Sequence, residues 1–164
     1  MSDDILREAT QLLERCRRAK LKLATAESCT GGLIAASLTE IAGSSDVVER
    51  GFVTYSNEAK TELVGVDPAL IRAHGAVSAE VAKAMALGAV ERSRADIAVA
   101  VTGIAGPGGA TPTKPVGLVH LAAARKGGPI LEVRAVFPGD RQAVRHQSVL
   151  AAFALVAELI EHPS

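Results

Sequence analysis

The chain has 164 residues, 48% of them hydrophobic and 22% charged, which is enough length for one domain with a sizeable core and too apolar for intrinsic disorder. Eighteen basic residues balance eighteen acidic ones, which argues against a chain whose main task is to bind the phosphate backbone of nucleic acid. Aromatics are only 2%, so alanine and valine do most of the filling, and the two cysteines, Cys16 and Cys29, form no CxxC pair and follow no signal peptide or long apolar run; a reducing cytoplasm and no membrane are expected.

In chain order, Ser2–Ala19 opens with a capping serine and two aspartates and closes on arginines, the charge order that a helix dipole favours. It is predicted as an amphipathic helix. The run LKLAT, Leu21–Thr25, reads as a short buried strand, and Leu33–Ile41 carries apolar residues at helical spacing, so AESCTGG (Ala26–Gly32) is a strand-to-helix turn. The free N–H groups at such a helix start can stabilise an anion or a developing oxyanion. Ser and Thr beside glycines equally serve as caps, and the local sequence leaves both readings open.

Ala42–Asp46 is a loop, and Val47–Ser56, with its valines and aromatics, is a strand. Asn57–Gly65 and Asp67–Gly75 each begin at a capping residue and end at glycine, as short helices do. Ser78–Arg94 is a longer helix with a serine at its start and a glutamate soon after. Ala95–Gly103 is a continuous apolar run, predicted as a central strand buried on both faces. Gly103–Gly117 is too rich in glycine and proline for a regular element and longer than most connections, so it is either functional or disordered. Val116–Arg125 and Ile130–Phe137 flank KGGP and form an antiparallel hairpin. Asp140–Ile160 closes the chain as a helix capped by aspartate. With no repeat or linker, residues 1–164 are expected to form one α/β domain: a three-layer α/β/α sandwich around a mixed, mostly parallel sheet with a C-terminal antiparallel hairpin, its ligand beyond the strand ends.

Two polar stretches compete for the site. Tyr55 and Lys60 lie five residues apart, and a lysine stripped of water loses its proton and becomes a base. A solvated helix lysine beside an exposed tyrosine fits the same letters. VTGIAGPGG offers a glycine loop after a strand but lacks the G-x-G-x-x-G spacing, so a phosphate cradle and a plain tight turn both remain open. His74, His120, His146 and His162 are scattered, and no metal site is expected.

The blocks TAESCTGGLIAASLTEIAGSSDVVERGFVTYSNEAKTELVGV, VTGIAGPGG with KPVGLVHLA, and FPGDRQAVRHQ together closely resemble the CinA C-terminal domain family, the bacterial nicotinamide-nucleotide amidohydrolases, over nearly the whole chain. Fusions in that family carry a further N-terminal domain resembling molybdopterin-binding proteins; this chain begins at its first helix and looks like the stand-alone form. Ala42 stands where relatives often have proline, which bears on loop stiffness more than on chemistry.

By resemblance, Ser28 is the nucleophile, Lys60 its general base and Tyr55 an accompanying hydroxyl. The N–H groups near Gly31 and Gly32 would steady the oxyanion. Ser45, Thr102, Gly103 and Arg141 resemble ligand-binding positions, with Arg145 a second candidate for the phosphate. The implied reaction turns nicotinamide mononucleotide and water into nicotinic acid mononucleotide and ammonia, without metal or redox cofactor and without nucleic acid, in a homo-oligomer, possibly a dimer. Three rivals follow from the residues themselves. Cys29 is an alternative nucleophile, although no histidine stands near it in sequence; Tyr55, Lys60 and the glycine loop suggest an oxidoreductase; and the same loop and arginine suit a non-catalytic nucleotide binder.

Overall fold

The computed structural model of the protein describes residues 1–162. Five strands form one sheet in the order β2-β1-β3-β4-β5: β1 (Leu23–Glu27), β2 (Val48–Val53), β3 (Ile97–Gly103), β4 (Leu118–Arg125) and β5 (Ile130–Val136). The β1 strand pairs in parallel with β2 and β3, whereas β4 pairs antiparallel with both β3 and β5. Four of the five strands therefore point one way and β4 alone runs back, so the sheet is mixed and mostly parallel, with the expected C-terminal hairpin.

Alternation along the strands divides the core in two. One face of the sheet carries Leu23, Ile97, Val99, Val101, Val119 and Leu121 beneath α1 (Asp3–Ala19), α2 (Leu33–Thr39) and α6 (Arg141–Glu161). The other is built from Ala24, Ala26, Ala98, Ala100, Ala122 and Ala124 and meets α3 (Asn57–Val64), α4 (Pro68–His74) and α5 (Ala79–Glu91). An alanine floor lets α5 approach closely, which is how a core with so few aromatics fills its volume. Close packing of α5 on α3 explains Gly88 of α5, where a Cβ would collide with the Val64 carbonyl oxygen. Helix α6 is long and apolar enough to cross a membrane; here its apolar residues, Val149, Phe153 and Val156 among them, pack into the first core.

Local chemistry explains the element limits. Asp67, Ser78 and Asp140 cap their helices through side-chain oxygens, and Ser56 rather than Asn57 caps α3, accepting from the Ala59 amide at 3.0 Å. The first strand lies two residues later than its apolar run suggests. The Leu21 amide still closes α1 by donating to the Cys16 carbonyl, and the Lys22 amide donates to the Asp96 carboxylate, so pairing starts at Leu23 and continues to Glu27. Ser28 thus follows directly on a strand end. Its amide donates to the Val101 carbonyl of β3 at 3.0 Å.

Candidate active site

The site lies beyond the C-terminal ends of β1 and β3. Lys60, one turn into α3, is only 1% exposed and is among the largest fully buried side chains. Its Nζ stands 3.0 Å from Ser28 Oγ, with the carbonyl oxygens of Thr54, Tyr55 and Ser56 at 2.9, 3.4 and 3.5 Å. Burial holds the ammonium below the ordinary lysine range, the Cys29 thiol acting the other way. In this shell Nζ donates to the Ser28 hydroxyl and to the carbonyls; once the amine is neutral, its lone pair is the group that can take the Ser28 hydroxyl proton.

The turn carrying Ser28 is held by two charged side chains of opposite sign. Glu27, 1% exposed, accepts from the Thr30 hydroxyl at 2.6 Å and from the Ile34 and Ala35 amides at 2.8 and 3.0 Å. Arg145 of α6 donates from Nε to the Cys29 carbonyl at 3.3 Å and from Nη2 to the Thr30 carbonyl at 3.0 Å. Glycine is required at two points of this turn, since Gly31 and Gly32 have φ of 56° and 104°.

Of the two expected oxyanion donors, the structure engages the Gly31 amide and leaves that of Gly32 without a backbone partner. The Gly31 amide is taken by the Ser28 carbonyl at 2.9 Å, and the first-turn amides of α2 by the Glu27 carboxylate. Among the described residues, the amides left without a backbone or carboxylate partner in the turn are those of Cys29, Thr30 and Gly32.

Ser28, Tyr55, Lys60, Thr102, Gly103 and Arg141 line one cleft of about 220 Å³. Glycine is needed at 103 for close packing, because a Cβ there would stand 2.8 Å from Val119 Cγ2 and 3.1 Å from Cys29 Sγ. The Thr102 hydroxyl donates to the Ala76 carbonyl at 2.9 Å and so pins the opposite wall. Arg141, at the start of α6, joins the cleft to a wider hollow of about 760 Å³ that includes Arg145. It donates from Nη1 to the Gly106 carbonyl at 2.9 Å and from Nη2 to the Tyr55 hydroxyl at 3.2 Å. Tyr55 is 61% exposed at the mouth, its hydroxyl engaged by Arg141 rather than by Ser28 or Lys60.

Ser45 does not belong to this cluster. It sits on a 3-10 turn, Ser44–Asp46, that leads into β2 at the other end of the sheet. The five residues of β1 lie between, a span of roughly 17 Å at the strand rise. Arg145, the alternative phosphate contact, spends two of its nitrogens on the Ser28 turn.

Cys29 is buried, and burial pushes its thiol up to about 11. Among the described residues no histidine lines the cleft; His120, on β4 opposite Thr102, is buried, and its Nδ1 has no partner among them. Among the described residues, no three His, Cys, Asp or Glu side chains are grouped to hold a metal ion. The glycine loop runs from β3 into antiparallel β4, so it is not the strand–turn–helix that cradles a dinucleotide.

Sequence reading missed Glu27. The available signal was an acid closing an apolar run three residues before a threonine and just ahead of a helix start.

Residues 6–160 match the CinA C-terminal domain family. A CinA-like protein from Mycolicibacterium vanbaalenii is 58% identical over 134 residues, 82% of this chain and 32% of that protein. Another from Akkermansia muciniphila is 58% identical over 125 residues, 76% of this chain and 30% of that protein. The chain therefore spans about a third of the length of the curated relatives it matches. Among solved structures, the competence/damage inducible protein CihA from Agrobacterium tumefaciens superposes with a TM-score of 0.94 at 48% identity, covering 97% of both chains. A CinA superfamily protein from Klebsiella pneumoniae gives 0.92 at 35% identity, over 96% of this chain and 98% of that one.

Proposed function

The chain belongs to the CinA C-terminal domain family, and from that premise we propose that it is an amidohydrolase converting nicotinamide mononucleotide and water to nicotinic acid mononucleotide and ammonia. The observation that carries the reading is the 3.0 Å approach of a buried lysine amine to Ser28 Oγ at a strand end. A hydroxyl beside an amine whose charged form burial disfavours can be activated as a nucleophile.

The reaction runs in two halves. Ser28 Oγ attacks the carboxamide carbon as its proton passes to Lys60 Nζ, and the carbonyl oxygen becomes an oxyanion beside the turn whose Cys29, Thr30 and Gly32 amides have no backbone partner. Collapse breaks the C–N bond, the proton on Lys60 goes to the departing nitrogen, and ammonia leaves an ester on Ser28. Water then attacks that ester with Lys60 again taking the proton, which releases the carboxylate product and restores the hydroxyl.

The nicotinamide ring suits the narrow cleft and the ribose phosphate the wider hollow, where the Arg141 guanidinium would meet the phosphate. The test is release of ammonia from nicotinamide mononucleotide with an equal amount of nicotinic acid mononucleotide. Binding of the mononucleotide without ammonia release rejects the reading.

A further inference from the structure

The Ser28 turn is gripped from two sides. On one side the Glu27 carboxylate collects a hydroxyl and two amide donors, all within 3.0 Å. On the other the Arg145 guanidinium takes two consecutive carbonyls, those of Cys29 and Thr30. Taking Ser28 as the nucleophile, we infer that Glu27 and Arg145 are positioning residues that together fix the Ser28 turn and aim its free amides at the oxygen of the attacked carbonyl.

Peptide geometry links the grip to the aim. In a trans peptide the C=O and N–H point in opposite directions. With the Cys29 carbonyl directed at Arg145, the Thr30 amide is turned away from it and remains unclaimed in the described residues. The Thr30 carbonyl, directed the same way, turns the Gly31 amide inward onto the Ser28 carbonyl and closes the turn.

Both charges are suited to this role. A carboxylate next to a nucleophile opposes a developing oxyanion, and Glu27 is offset by the three donors that surround it. Arg145 is half-buried on a helix whose neighbouring Val144, Ser148 and Val149 are in the core, so its guanidinium rests on a rigid platform. Its positive charge works against the burial that raises the Cys29 thiol, so its field reaches the turn. Arg141, one helical turn earlier, is exposed and contacts Gly106 and Tyr55 instead. The two arginines thus divide the work: one faces the open hollow, and the other acts through the backbone.

The test compares the wild type with Arg145→Ala, Arg145→Lys and Glu27→Gln by two readouts. One is steady-state turnover of nicotinamide mononucleotide. The other is the rate at which a fluorophosphonate labels Ser28, followed by intact mass, which needs the nucleophile and its oxyanion donors whatever the natural substrate is. Arg145→Ala should lower kcat and the labelling rate by about 100-fold with KM within about threefold, as losing an oxyanion donor does. Millimolar guanidinium added to that variant should restore at least about tenfold of the loss, which repair of a merely destabilised fold would not do. Arg145→Lys, able to reach one carbonyl but not both, should fall between, and Glu27→Gln should slow labelling in the same way.

Wild-type labelling and turnover rates in Arg145→Ala, or a loss that appears only in KM, would overturn the inference. Should the wild type label at Ser28 but leave nicotinamide mononucleotide intact, the substrate assignment fails and the labelling rates still decide the roles of Glu27 and Arg145. Absence of wild-type labelling at Ser28 rejects the nucleophile and this inference with it.

Discussion

Ser28 Oγ and Lys60 Nζ, 32 residues apart in sequence, meet at 3.0 Å in a site where the lysine is 1% and the serine 8% exposed. Burial favours the neutral amine, which is the form that takes a proton. Activity should therefore rise with pH along an ionisation lying below the ordinary lysine value of 10.5. Lys60→Met should lower kcat by about 1,000-fold and abolish that limb, a loss typical of removing a general base. Initial rates of ammonia release across pH check both.

The same burial has a stability consequence with a definite sign. Because the folded-state pKa of Lys60 is below the unfolded value, the folded state binds fewer protons over the interval between them, so stability rises with pH there. The penalty is complete below the folded pKa and vanishes above 10.5. Relative to Lys60→Met, the wild type should gain stability as pH climbs through that interval, measured by urea denaturation at several pH values. A stability difference that is flat in pH would mean that the amine is not held from its charged form.

Cys29 stands next to Ser28 but has a thiol pushed up to about 11 and no histidine at the cleft. In the proposed mechanism it packs and takes no part in the chemistry. Cys29→Ala should cost about 1 kcal/mol of stability and leave kcat within about threefold of wild type. Thermal melting and the ammonia assay on one preparation give both numbers.

Arg141 joins the cleft to the hollow and holds the Tyr55 hydroxyl. A charge-assisted hydrogen bond to phosphate contributes about 2 kcal/mol, so Arg141→Ala should raise KM about 30-fold with a smaller change in kcat. Nicotinamide riboside, which lacks the phosphate, should be turned over alike by Arg141→Ala and wild type.

Much of the fold is legible locally. Asp67, Ser78, Asp140 and the glycine ends announce their helices, and the unbroken run Ile97–Gly103 announces a strand covered on both faces. Ser28, Lys60, Tyr55, Thr102, Gly103 and Arg141 come from four separate stretches and line one cleft, a grouping carried by resemblance and not by any spacing. What could not be read depends on tertiary contacts. Leu21 looks like strand, but its amide is taken by α1. The amides at the start of α2 look free until the Glu27 side chain folds back onto them. Ser45 lies close in sequence to β2, yet a parallel strand delivers it to the end of the sheet opposite Ser28. Arg141 and Arg145 are one turn apart on α6, and only the packed helix separates the one beside Tyr55 from the one on the nucleophile turn.

The decisive measurement is ammonia released from nicotinamide mononucleotide by wild type and Ser28→Ala, assayed side by side, with circular dichroism confirming that both are folded. Stoichiometric ammonia and nicotinic acid mononucleotide from the wild type, with at least about a 1,000-fold loss in the variant, is the expected result. A folded Ser28→Ala protein that turns over at the wild-type rate would contradict it.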